Sequence, residues 1–290
     1  MTITATLIEP FVQYGFMRRA LVASVSLGLG SGPIGVLLML RRMSLMGDAM
    51  SHAVLPGAAV GFLVAGGLSL TAMGLGGLIA GLAVALLSGL VSRTTRLRED
   101  ASFASFYLAS LASGVLIVSL RGSNIDLLHV LFGSILAIDA QALYLVAAIS
   151  SATLVILAVV YRPLVAECFD PGFLRAVGGH GSTYHVLFLF LVVINLVASF
   201  QALGTLMAVG LMMLPAAVAQ LWARTLAAMV VISAATAAVS GYAGLIISFH
   251  AGLASGPTII LAASVIYVAS LIAGPQGPLR RLFPRPHLTG

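Results

Sequence analysis

Asp48 and His52, an acid and an imidazole four residues apart, stand in a run of mostly small and apolar residues, RRMSLMGDAMSHAVLPGAA. On a helix that spacing is a rotation of about 400° and a rise of ~6 Å, so both side chains project from one face. A carboxylate oxygen with an imidazole nitrogen is a ligand set suited to manganese, iron or zinc. Gly47, Ala49, Ser51, Ala53 and Gly57 leave room for another helix to approach. If the helix begins near Ser44, His52 lies ~12 Å along it. An ionisable side chain at membrane depth costs about 2.5–3.5 kcal/mol on insertion scales and so needs a reason. The alternative is structural: Asp48 favoured by the positive end of its helix dipole and paired with Arg41 or Arg42, with His52 bonded to a carbonyl.

Other groups are weaker candidates. Asp126 and His129 repeat the acid/imidazole pair at i, i+3, and His250 stands at the outer end of its apolar run. These three are candidates for metal access from outside, against ordinary solvated positions. Pro56 removes one hydrogen bond from the helix of Asp48 and invites a kink. Met39, Met43, Met46 and Met50 are read as flexible core filling. His180 and His185, beside a polar loop, are expected at the surface. Cys168 has no evident activating partner, and neither H-E-x-x-H nor G-x-S-x-G occurs, so the chain is not expected to be an enzyme.

The elements that must position these groups follow from composition. The chain has 290 residues, 60% hydrophobic and only 8% charged, with mean hydropathy +1.14. A soluble domain carries roughly a quarter charged residues, and a disordered or nucleic-acid-wrapping chain needs more polar surface still. Nine apolar runs are long enough or nearly long enough to cross a bilayer: 20–40, 44–66, 70–92, 103–121, 140–161, 185–203, 205–222, 226–248 and 257–274. Gly and Pro interrupt several, so eight crossings is the alternative count. None alternates as a barrel strand does. The expected architecture is all-α: a polytopic transmembrane helical bundle of eight to nine spans, one domain over residues 1–290. The first run lacks the form of a cleaved signal peptide. Gly28/Gly32, Gly57/Gly61 and Gly77/Gly81 are G-x-x-x-G pairs that allow close helix packing. The G-x-G-x-x-G at 30–35 lies within a span, where packing is a better account than a dinucleotide site.

All fourteen basic residues are Arg. With the N-terminus outside, nine crossings place eleven of them in the cytoplasm and leave Arg18, Arg19 and Arg121 outside, a positive-inside bias. Segment 162–184 then becomes a cytoplasmic loop and 275–290 a basic cytoplasmic tail. Segment 121–139 lies outside, with an apolar middle that suggests a short helix dipping into the bundle. A P-loop needs Lys, and there is none, so any ATP hydrolysis belongs to a separate subunit. One cysteine excludes an intrachain disulfide.

Four ordered stretches carry a resemblance: LRRMSLMGDAMSHAVLPGAA, FDPGFLRAVG, ALGTLMAVGLMMLPAAVAQLW and GLIISFHAGLASGPTIIL. Over about residues 15–274 the chain resembles the ABC-3 family, permease subunits of ABC importers for zinc, manganese and iron, related to type II ABC importer permeases. The resemblance implies a multi-pass protein of the bacterial plasma membrane that pairs with a second permease copy in the lipid. It also implies an ABC ATPase subunit and an extracytoplasmic metal-binding protein as partners, with no nucleic acid and no permanently bound cofactor. The transported ion would be manganese or zinc, with iron a further choice. Asp48 and His52 match the family's metal-coordinating pair. Phe169, Asp170, Pro171, Phe173, Arg175 and Gly178 match its ATPase-coupling segment, where Gly172 and Leu174 replace the usual Glu and Ala. The implied cycle is alternating access about a metal site near the dimer axis. An ATP-independent metal transporter or channel is the alternative.

Overall fold

The computed structural model describes residues 7–67, 69–121, 138–169 and 181–277. These residues form helices and no strands. A short α1 (Glu9–Gln13) leads into α2 (Gly15–Leu40), α3 (Ser44–Ala65), α4 (Leu70–Thr94) and α5 (Glu99–Arg121). Then follow α6 (Ala140–Val159), α7 (Tyr161–Phe169), α8 (Gly181–Leu203), α9 (Thr205–Trp222), α10 (Leu226–Ala251) and α11 (Ser255–Ala273). Eight of them are long and apolar enough to cross a membrane, and α9 supplies a shorter apolar helix. All nine apolar runs are therefore helical; the two counts expected from the sequence differ by α9, which starts after Gly204 in a left-handed conformation, φ 87°. The apolar middle of 121–139 falls almost wholly outside the described residues.

Helices α2 and α8 lie at the centre. Ile34 and Leu38 of α2 join Phe188, Leu189, Val192 and Leu196 of α8 in the main core, with Met50 of α3 and Met212 of α9. Met46 and Met50 are buried and Met39 and Met43 pack at the core margins, as flexible filling should. The ends of α2 and α9 meet the start of α10 through Leu40, Ala219, Ala223 and Met229. Gln276, just past α11, folds back there and donates to the carbonyls of Leu221 and Ala223 at 3.1 and 2.6 Å. The expected tail 275–290 thus begins pinned to the bundle.

The glycine pairs do what their spacing suggests. A Cβ on Gly57 would collide with the Gly76 carbonyl, one on Gly61 with the Ala72 carbonyl, and one on Gly28 with Ala237. Helices α3 and α4 therefore meet backbone to backbone, which fixes the orientation of the helix bearing Asp48. Gly57→Ala is expected to destabilise the bundle by about 1–3 kcal/mol through overpacking. Thermal unfolding in detergent checks this, and an unchanged midpoint would contradict the packing described.

Three helix ends turn by the same left-handed device, in which the residue after the cap closes a bond to a carbonyl five back. Gly66 and Gly252 occupy the left-handed position after α3 and α10 (φ 68° and 64°), but Arg42 occupies it after α2 (φ 59°). Met43 N–H donates to the Leu38 carbonyl at 2.9 Å, completing the turn. An L-residue there costs roughly 1–2 kcal/mol that glycine avoids. The elbow joining α2 to α3 is consequently strained, six residues before Asp48.

Candidate functional site

Helix α3 has two faces. Met46, Gly47, Ala49, Met50, Ser51, Ala53, Val54, Pro56, Gly57 and Ala58 are buried, chiefly against α4 and α5. Leu45, Asp48, His52, Leu55 and Ala59, at alternating spacings of three and four, form an open or half-open stripe. Asp48 and His52 thus share one face, as their spacing requires, and that face is the outer one. The side chains are 67% and 34% exposed, with His52 Nε2 3.9 Å from Asp48 Oδ1. At that distance the pair makes no hydrogen bond, so their lone pairs stay available.

The arginine pairing of the structural alternative is not found at Asp48. Among the described residues it pairs with neither Arg41 nor Arg42; Arg41 turns instead to Cys168 and His185. Pro56 cannot donate to the His52 carbonyl one turn back, and its ring fills the space a Cβ on Gly114 of α5 would need. Ser110 of α5 donates to the neighbouring Ala53 carbonyl at 3.1 Å. Helix α5 thus braces the irregular turn just beyond His52. Among the described residues no three His, Cys, Asp or Glu side chains gather into a metal cluster. One chain offers two side-chain ligands here, fewer than the four of zinc or the six usual for manganese.

The remaining candidates lie elsewhere. His250 is exposed at the last turn of α10, its Nδ1 3.0 Å from the Ile246 carbonyl. Helix α10 starts beside the end of α2, so His250 stands at the opposite end of the bundle from the elbow preceding Asp48. Phe169 ends α7 and is exposed. Asp126, His129, His180, Asp170, Pro171, Phe173, Arg175 and Gly178 lie outside the described residues.

The structure also assembles a polar network that sequence reasoning missed. Arg41, at the end of α2, donates from Nε to Cys168 Sγ at 3.1 Å and from Nη1 to His185 Nδ1 at 2.9 Å. Its guanidinium carbon lies 4.6 Å from the centre of the Phe188 ring. His185 Nε2 lies 3.1 Å from Glu99 Oε1 at the start of α5. His185 is buried, which corrects the surface position expected for it: the first turn of α8 packs under the end of α2 rather than joining the loop. Cys168 likewise has a partner after all, yet it is not activated. Burial pushes its thiol up, and the Arg41 charge and hydrogen bond offset this only in part. Arg41 Nη2 and Glu167 Oε2 are buried without a hydrogen-bond partner among the described residues. The available signal was topological: counting crossings puts residues 41, 99, 167–168 and 185 at the same end of the bundle.

Comparison with known proteins yields a match to the ABC 3 transport family over residues 13–274. The chain is 34% identical over 273 residues to the manganese transport system membrane protein MntC of Listeria innocua, covering 94% of this chain and 96% of that one. It is 31% identical over 272 residues to the chelated iron transport system membrane protein YfeD of Yersinia pestis, covering 94% and 90%. Among solved structures, PsaBC from Streptococcus pneumoniae in complex with Fab aligns with a TM-score of 0.83 at 29% identity, covering 97% of this chain and 100% of the matched one.

Proposed function

We infer the function from one fact: the chain belongs to the ABC 3 transport family. It is a multi-pass protein of the bacterial plasma membrane, the permease subunit of an ABC importer whose cargo is a divalent transition metal. Manganese is the first choice, because relatives such as MntC carry that metal in their names, with iron second on the likeness to YfeD. Zinc shares the ligand chemistry but has less support from these relatives.

The observation that carries the mechanism is the acid–imidazole pair on the open stripe of α3. A carboxylate facing lipid is costly, and two ligands underfill the ion's coordination shell. A second copy of the permease, set with its α3 against this one, answers both problems. It covers the stripe and brings two carboxylates and two imidazoles around a two-fold axis. The ion exchanges part of its hydration for these groups, while the Pro56 turn and the small residues behind it keep α3 against α4 and α5.

Energy comes from a separate ATPase subunit, since the chain lacks the lysine of a P-loop. The 162–184 segment, with Phe169, Asp170, Pro171, Phe173, Arg175 and Gly178, seats on that subunit, and 275–290 lies on the same cytoplasmic side. The N-terminus is outside. An extracytoplasmic metal-binding protein delivers the ion there, and Asp126, His129 and His250 line the access route. ATP binding and hydrolysis rock the two halves so that the site opens to each side in turn.

The test is uptake into vesicles holding the permease and its ATPase. Manganese accumulation should require ATP on the ATPase side and vanish with a non-hydrolysable analogue. Accumulation driven by the metal gradient alone would instead establish an ATP-independent transporter or channel.

A further inference from the structure

The buried network around Arg41 occupies the place in the fold where a signal from the ATPase must enter the metal-bearing helix. Helix α7 leads into segment 170–180 and α8 leads out of it. Arg41 holds both, through Cys168 Sγ on α7 and through His185 Nδ1 and the Phe188 ring on α8. The next residue, Arg42, is locked in the left-handed conformation that turns the chain into α3. Strain of that kind persists only where surrounding contacts impose it: the Arg42 and Met43 N–H groups donate to the carbonyls of Met39 and Leu38 and close the turn, and the tethers on Arg41 anchor the residue just before it. Two buried charged atoms in the same cluster, Arg41 Nη2 and Glu167 Oε2, have no hydrogen-bond partner among the described residues.

We propose that Arg41 and His185 are positioning residues that couple the ATPase-seated segment to the α2–α3 elbow, and through it to Asp48 and His52. This rests on the transport function inferred above. The tautomer follows from donor chemistry. A guanidinium only donates, so His185 Nδ1 must be the acceptor and Nε2–H must donate to Glu99. Among the described side chains, Arg41 Nη1 and Glu99 Oε1 contact the ring, and a Cβ on Gly89 of α4 would lie 3.7 Å from Nε2.

The experiment uses the whole transporter, permease with ATPase, in proteoliposomes, and reads manganese uptake per ATP hydrolysed. Arg41→Lys keeps the charge but not the planar fork that reaches two elements at once. His185→Leu removes the bridge. Both should retain the ATPase and hydrolyse ATP while uptake per ATP falls about tenfold, within the usual range of coupling effects. His185→Gln can accept from Arg41 and donate to Glu99, so it should restore the ratio. The proposal is overturned if Arg41→Lys and His185→Leu keep the wild-type ratio, if they lose assembly and ATP hydrolysis together with uptake, or if His185→Gln fails to restore the ratio. Asp48→Asn/His52→Ala in the same vesicles tests the transport function separately: normal uptake there removes the metal site, whereas the coupling ratios remain readable on whatever route carries the ion.

Discussion

Asp48→Asn combined with His52→Ala should abolish metal accumulation while leaving membrane insertion and ATPase association intact. Each change removes a proposed ligand, and in the proposed dimer the double variant strips all four side-chain ligands from the axis. Folding should tolerate the loss, because neither side chain makes a hydrogen bond among the described residues and both lie on the open face of α3. Removing a carboxylate from a span also lowers an insertion cost of about 2.5–3.5 kcal/mol. Manganese uptake into cells lacking other importers, with surface abundance measured on the same cells, checks this. Accumulation at the wild-type rate would remove the coordination role.

Leu45→Cys, in a Cys168→Ser background, should form a covalent dimer under mild oxidation. Leu45 is 82% exposed at the head of the α3 stripe, so an interface that brings two copies of α3 together carries it to the axis. A disulfide forms only when the two Cα atoms approach within about 4.4–6.8 Å, which makes the product diagnostic of this face. The chain has a single native cysteine, so the background needs only one change. Val155→Cys is the control: it is also exposed, but it lies on α6, which makes no substantial contact with α3. More than half the Leu45→Cys chains should cross-link, and almost none of the Val155→Cys chains. Equal cross-linking at both positions, or none at either, contradicts a homodimer built on α3.

Much of this protein was legible because the information is local. Run lengths gave the helices, since a span must satisfy its backbone internally. The i, i+4 rule put Asp48 and His52 on one face whatever the fold, and G-x-x-x-G spacing at Gly57/Gly61 and Gly77/Gly81 marked contacts that the α3–α4 packing contains. The left-handed turn at Arg42 was not legible, because nothing in LRRM distinguishes it from a continuing helix; Gly66 and Gly252 sit at the equivalent turns in the residue type that favours them.

What the sequence could not decide was which way each face points. In a water-soluble helix the apolar stripe marks the core. Here the surrounding lipid is as apolar as the protein interior, so buried Val54 and open Val64 look alike in the sequence. Only packing revealed that Asp48 looks outward and that His185 looks inward. Arg41 shows the same division: its charge marks the end of an apolar run, which the sequence alone suffices to read. Its partners Cys168 and His185 lie 127 and 144 residues away in the chain, and no local pattern encodes a contact made when three helix ends converge.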